Sequence, residues 1–196
     1  VKIRGKLLLV LKDIAKDFSY KDQGFKDPAY AEKLFKRMEE SAGRDIFDEE
    51  LMYLRAFNLE KSKEYPKAKE AYLDLLKRYP GTQYADEANF KAAVIYTYIL
   101  RDIKNARPIF EALAQKESIP PQALSSLYQL GLVSQWENDF VKAKEYYNKL
   151  MAKPGAGFAQ TTAMAKERLK EIEESRPMEY NLRVFLDLSL KEENKE

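Results

Sequence analysis

The feature that most constrains this chain is a repeated pair of residues. An alanine followed four positions later by an aromatic residue recurs at intervals of 37, 38 and 37 residues. The four pairs are Ala31 and Phe35, Ala68 and Tyr72, Ala106 and Phe110, and Ala143 and Tyr147. Residues four apart share one face of an α-helix. A fixed period of this length is typical of stacked helical hairpins, so the chain is predicted to be built from repeats.

A small or compact residue precedes three of these pairs. Ala56, Val94 and Gly131 each lie 12 residues before the alanine of their pair. A compact side chain at that place allows a preceding helix to approach the helix that carries the pair. Each repeat is therefore predicted to be two antiparallel helices. Neither helix buries its apolar face alone, so neighbouring hairpins must stack.

This arrangement resembles the tetratricopeptide repeat family. In that family, each hairpin has a small residue late in its first helix, then an alanine and an aromatic residue in its second helix, and then a proline. The segment LYQLGLVSQWENDFVKAKEYY, at 127–147, carries the pattern most completely. The resemblance implies an all-α fold, a right-handed solenoid of antiparallel helix pairs, over residues 1–176. This domain would hold about four hairpins and a capping helix.

The capping helix is predicted over residues 159–175. Its apolar residues recur with a helical period, and Ala163, Leu169 and Ile172 are expected to face inward. The remaining residues are mostly charged. A polar outer face of this kind is typical of the helix that ends a solenoid.

The pattern changes in the tail, residues 177–196. Apolar residues alternate there with mostly polar ones, which predicts one half-buried β-strand. A lone strand is not stable in water. It must pair with a following domain, another copy of the chain or another protein. The predicted strand-pairing residues are Tyr180, Leu182, Val184, Leu186 and Leu188.

The resemblance also implies where a ligand would bind. In tetratricopeptide arrays the first helices of the hairpins line the concave face, and peptides commonly lie there. Projecting the helical period gives an aromatic-rich row that points away from the partner helices. The predicted peptide-binding groove consists of Tyr53, Phe57, Lys91, Tyr98, Tyr128, Gln135 and Trp136. The alternative is that several of these residues pack between adjacent hairpins.

The composition argues against an enzyme. Among its 196 residues the chain has neither His nor Cys, which excludes the Ser/His/Asp and Cys/His nucleophile systems and nearly all zinc and haem sites. The glycine pair at 155–157 lacks the Lys and Ser or Thr of a phosphate-binding loop. Asp48, Glu49 and Glu50 fit the start of a helix better than a cation site. We therefore predict a non-enzymatic protein without a cofactor or a metal.

The charge balance limits the kinds of partner. The net charge is +2, and no basic cluster is interleaved with aromatic residues, so we expect no nucleic-acid partner. No run of 18 apolar residues occurs, so we expect no membrane insertion. The absence of cysteine is compatible with the cytoplasm and with a cell envelope. The expected partner is a protein or a peptide.

Two functions follow from these patterns. The first is a non-enzymatic adaptor or scaffold that holds a peptide or protein segment in the aromatic groove. The second is a structural subunit of a homo- or hetero-oligomer that assembles through the C-terminal strand. The segment YPGTQYADEANFKAAVIYTY, at 79–98, is similar to repeat junctions of bacterial envelope tetratricopeptide proteins. That similarity implies the periplasm or cell envelope of a bacterium, with the cytoplasm as the alternative.

Overall fold

All regular structure in the described part of the chain is helical. The computed structural model describes residues 2–19, 27–116, 120–153 and 159–176. These ranges contain one 3-10 helix, Arg44–Ile46, and nine α-helices: α1 Lys2–Phe18, α2 Pro28–Ala42, α3 Glu49–Lys61, α4 Tyr65–Arg78, α5 Ala85–Tyr98, α6 Ile103–Ala114, α7 Pro121–Trp136, α8 Phe140–Met151 and α9 Ala159–Glu173. The predicted all-α fold is confirmed for these residues. The predicted strand at 177–196, with Tyr180, Leu182, Val184, Leu186 and Leu188, lies outside them.

The helices belong to two compact units. Unit 1 is Val1–Ile95 and unit 2 is Tyr96–Glu196, so the boundary falls within α5. In unit 1, α1 packs on α2, α2 on α3, and α3 on α4. In unit 2, α6 packs on α7, α7 on α8, and α8 on α9. Packing in chain order is consistent with an array of helical hairpins.

The repeated residue pairs form the core that the sequence predicts. All four alanines and all four aromatic rings are buried. In unit 2, the Tyr147 hydroxyl donates a hydrogen bond to Gln135 Oε1 at 3.0 Å. A Cβ atom added to Gly131 would lie 2.7 Å from both Cδ1 and Cζ of the Tyr147 ring. The small residue therefore sets how closely α7 and α8 approach.

The repeat is also visible in the backbone. Within the described ranges, four residues other than glycine have a positive φ, and they recur at intervals of 38, 37 and 37: Lys63, Arg101, Asn138 and Ser175. Each lies in the turn just after a first helix, namely α3, α5, α7 or α9. In three of these turns the next residue donates to the backbone carbonyl five positions earlier, as from Glu64 N to Leu59 O at 2.9 Å and from Arg176 N to Glu171 O at 2.9 Å. After α5 the bond spans six positions, from Asp102 N to Tyr96 O at 2.8 Å. Helix α9 therefore ends as α3 and α7 do.

Helix α9 differs from the prediction in one contact. Leu169 and Ile172 pack against the core of unit 2, as expected. Ala163, which was expected to face inward, is exposed, and Ala165 is fully buried instead. The side chains of Leu169 and Ile172 orient the helix so that Ala165 faces α7 and α8.

Candidate binding surface on the first helices

Three aromatic rings are stacked in unit 1. We call Tyr84, Tyr53 and Phe57 the aromatic row. The rings of Tyr84 and Tyr53 are 4.4 Å apart and nearly parallel, at 10°. Those of Tyr53 and Phe57 are 6.0 Å apart at 11°. All three side chains are partly exposed, so the row combines a rigid stack with accessible aromatic surface.

Two glutamates make hydrogen bonds in and beside the aromatic row. The Tyr53 hydroxyl donates to Glu87 Oε1 at 2.6 Å. Burial, followed by this hydrogen bond, raises the pKa of Tyr53 far above its usual value. Buried Glu60 accepts from the Tyr72 hydroxyl at 2.6 Å and from Lys91 Nζ at 2.7 Å. Glu60 therefore ties α4 and α5 to α3.

Two lysines lie at the Phe57 end of the row. The ammonium of Lys91 is 4.9 Å from the centre of the Phe57 ring, and that of Lys61 is 5.3 Å from it. Cations at this distance are attracted by the electron-rich face of the ring. Three of the predicted groove residues, Tyr53, Phe57 and Lys91, are thus brought together in unit 1.

Most of the predicted groove residues of unit 2 are more buried than those of unit 1. Tyr128 is only 3% exposed, and burial raises its pKa. Gln135 is buried and donates from Nε2 to Glu171 Oε2 at 3.3 Å, while accepting from Tyr147. Tyr98 is also buried, and its hydroxyl donates to Gln129 Oε1. The polar groups of these side chains therefore make contacts inside the unit.

Trp136 is the exposed member of the predicted set. It ends α7 and is 45% exposed. Two other large apolar side chains, Phe140 and Val141, are exposed at the start of α8. Of the groove residues in unit 2, Trp136 is the one that offers accessible area.

Tyr84 and Glu87 are not among the residues that the sequence predicts for this surface. Tyr84 lies in the turn before α5, and Glu87 lies in the first turn of that helix. A helical projection of the first helices leaves out a turn residue. The available signal was the tyrosine in the segment YADEANF, three positions before Glu87.

Unit 1 also has a cleft between α2 and α4, with α3 as its floor. Its volume is about 420 Å³, and Phe47, Met52 and Leu59 contribute apolar surface. An alternating series of charges follows the cleft, and we call it the ion ladder. It consists of Glu32, Arg55, Glu39, Arg44, Asp74, Arg78 and Asp45.

The most buried cation of the ion ladder is Arg55. Its Nη2 lies 2.8 Å from Glu32 Oε1, and its Nη1 lies 3.1 Å from Glu39 Oε2. The guanidinium carbon is 5.8 Å from the ring centres of Phe35 and Phe47. Each charge of the ladder is paired with an opposite one. These ion pairs join α2, α3, α4 and the 3-10 helix of unit 1.

No group of three or more acidic side chains within the described ranges is arranged to hold a metal ion. None of the helices described has both the length and the apolar character needed to cross a membrane.

Comparison with known proteins supports the repeat architecture. The family model described as tetratricopeptide repeat matches residues 50–82 and 125–155. The first match covers α3 and α4, and the second covers most of α7 and all of α8. Neither the curated proteins nor the solved structures gave a match. The family model thus matches one hairpin in each of the two units.

Proposed function

From the premise of these two tetratricopeptide-repeat matches, we propose that the chain is a non-enzymatic adaptor that binds a peptide or protein segment on the first-helix face of unit 1. Tetratricopeptide repeats are in general protein-interaction scaffolds and typically lack catalytic activity. The proposed place of binding is the aromatic row together with Lys91.

The observation that carries this proposal is the stacked and partly exposed aromatic row. Aromatic side chains are enriched at binding hot spots, because they offer a large contact area with few rotatable bonds. The rings are held before any ligand arrives, because Tyr53 is hydrogen-bonded to Glu87 and stacked on both neighbours. A pre-organised surface loses little conformational entropy on binding.

Trp136 is a second proposed contact, in unit 2. Its exposed area is the property that supports a binding role. For Tyr98, Tyr128 and Gln135, binding stays a prediction from the sequence, since their polar groups are used within unit 2. The bacterial envelope location and the pairing of a C-terminal strand likewise stay predictions.

The proposal is tested with a displayed library of random dodecapeptides. Peptides recovered on the full chain are synthesised with a fluorescein label, and their affinity is measured by fluorescence polarisation. We expect Tyr84→Ala and Phe57→Ala to weaken binding about tenfold or more, the loss typical of a hot-spot residue. Tyr84 is the more informative position because it lies outside the helices.

The matched control is Phe140→Ala, which removes an exposed aromatic side chain from unit 2. It should leave the affinity unchanged. Circular dichroism melts identify any variant that lost its fold. Failure to recover peptides, or peptides that bind both row variants as tightly as the parent chain, would contradict the proposed function.

A further inference from the structure

The open end of the aromatic row is the ring of Tyr84. One face of this ring is covered by Tyr53, at 4.4 Å. The other end of the row, at Phe57, is occupied by the ammonium groups of Lys61 and Lys91. Tyr84 is partly exposed, so its outer face is the place where a further flat or cationic group can extend the stack.

Carboxylates lie around the tyrosine pair. Burial is the main cause that raises the pKa of Tyr84, and Glu50 and Glu49, in the first turn of α3, raise it further. Lys16 and a hydrogen bond with the Gln83 side chain act in the opposite direction. Glu87, in the first turn of α5, accepts from Tyr53. A carboxylate has about four acceptor positions, so one hydrogen bond does not exhaust Glu87.

The local charge is negative after its ion pairs are counted. Lys16 Nζ lies 2.5 Å from Glu50 Oε2, and Lys91 Nζ lies 2.7 Å from Glu60 Oε1. These pairs are neutral, which leaves the charges of Glu49 and Glu87. Acidic residues are favoured at helix N-termini, and each N-terminus contributes about +0.5 charge. Two such ends offset about half of the two negative charges, so the surface around Tyr84 stays negative.

We propose that this surface, defined by Tyr84, Glu49 and Glu87, receives an arginine side chain of the bound segment. The guanidinium stacks on the outer face of Tyr84 and donates hydrogen bonds to the flanking carboxylates. Arginine fits better than lysine because it is planar, is more weakly hydrated and has five donors in a fixed fork. This inference rests on the proposed function, for which it names the chemistry of the partner.

The orientation of the partner follows from the ends of the row. The Tyr84 end is acidic, whereas the Phe57 end carries Lys61 and the neutral pair of Lys91 with Glu60. The outer rings are separated by no more than about 10 Å, which an extended segment spans with about three residues. The arginine therefore marks one end of the bound segment, and apolar residues follow it along the row.

The test uses the labelled dodecapeptides that bind the aromatic row. We expect them to share an arginine, and we expect its replacement by glutamine to weaken binding about tenfold or more, with lysine giving an intermediate loss. Glu49→Gln and Glu87→Gln should weaken the arginine peptide about threefold to tenfold. The same two variants should leave the glutamine peptide nearly unaffected, because the interaction they remove is already absent from it.

The control is Asp45→Asn, which removes the same charge from an exposed position on the 3-10 helix of unit 1. It should leave the arginine peptide's affinity unchanged, which excludes a general charge effect. Peptides that need Tyr84 and Phe57 but contain no essential arginine would overturn this inference and leave the adaptor function intact. Peptides indifferent to Tyr84 and Phe57 would overturn both.

Discussion

At the scale of single residues, Gly131 shows how one missing side chain controls the packing of a hairpin. The ring of Tyr147 occupies the space that a Cβ atom would need. This ring is fully buried, and its hydroxyl is bound to Gln135. It therefore has little freedom to move aside.

We predict that Gly131→Ala destabilises the chain by about 1–2 kcal/mol. Overpacking typically costs about 1–3 kcal/mol, and ring atoms only 2.7 Å from the added Cβ put this cost in the upper part of the range, at about 2–3 kcal/mol. The higher helix propensity of alanine returns about 1 kcal/mol. Urea denaturation measures the change. Gly5→Ala in α1 is the control, because nothing lies within 4 Å of a Cβ atom there, and it should be neutral or stabilising. An equally stable Gly131→Ala chain would contradict the packing argument.

The buried tyrosines predict a response to alkaline pH. Burial is the main cause that raises the pKa of Tyr53, Tyr72 and Tyr147. Folding thus favours their neutral forms. This contribution to stability is fully present below the unfolded pKa of about 10 and is lost as the pH rises above it.

The absorbance of tyrosinate measures how many tyrosines have ionised as the pH is raised. While the helices remain folded, we expect this absorbance to stay below the value for all 13 tyrosines. The chain unfolded in guanidinium chloride is the reference and should titrate as one group near pH 10. Circular dichroism reports the helices at each pH. Complete ionisation near pH 10 with the helical signal intact would show that these hydroxyls are not protected.

At the scale of helices, the ion ladder joins segments that are far apart in the sequence. Arg55 of α3 links Glu32 and Glu39 of α2, and Arg44 continues from Glu39 to Asp74 of α4. Exposed ion pairs contribute little to stability. Arg55 is different, because its side chain is mostly buried and has two carboxylates as partners.

We predict that Arg55→Met lowers the free energy of unfolding by about 1–3 kcal/mol, since it leaves two glutamates facing each other without their cation. The methionine retains most of the apolar stem, so lost packing is a small part of the effect. Lys67→Met, which removes an exposed lysine paired with Glu64, is the control and should give no measurable change. Equal denaturation midpoints for the two variants would argue against a structural role for the ladder.

At the scale of the whole molecule, removal of the tail at 177–196 distinguishes the two functions that the sequence suggests. Its alternating pattern predicts a strand that needs a partner. The aromatic row belongs to unit 1 and does not require the tail. Peptide binding and assembly are therefore expected to be separable.

We predict that ending the chain at residue 176 leaves peptide binding by the aromatic row unchanged. If copies pair through the tail, light scattering will give a multiple of 22.8 kDa for the full chain and a single copy for the truncated one. Loss of peptide binding on truncation, with the helices intact, would contradict the separation of the two properties.

Much of the helical core was predictable because it depends on local periodicity. Ala31, Phe35, Ala143 and Tyr147 are spaced so that each alanine shares a helix face with its aromatic residue, and all four are buried. Asp48 was expected at a helix start, and it accepts from Leu51 N at 2.9 Å. These outcomes require only the geometry of one helix and the repetition of one hairpin.

The exposure of the candidate site was less predictable. Tyr53 and Tyr128 occupy the same position in their repeats, 75 residues apart, yet the first is partly exposed and the second is buried. The helical projection is identical for both. In unit 2, the Arg168 and Glu171 side chains of α9 lie beside Tyr128 and contribute to its electrostatic environment. A neighbouring helix, and not the residue's own helix, decides how exposed each ring is.

The sequence by itself determined that this chain forms helical hairpins with alanine–aromatic cores, because both properties follow from spacing along the chain. The tertiary structure decided that Tyr84 and Glu87 complete the aromatic row, and that seven charged residues from separate segments form the ion ladder. These groups meet only after α2, the 3-10 helix, α3, α4 and the start of α5 have packed. Contacts between repeats depend on three-dimensional distances that a one-dimensional period does not contain.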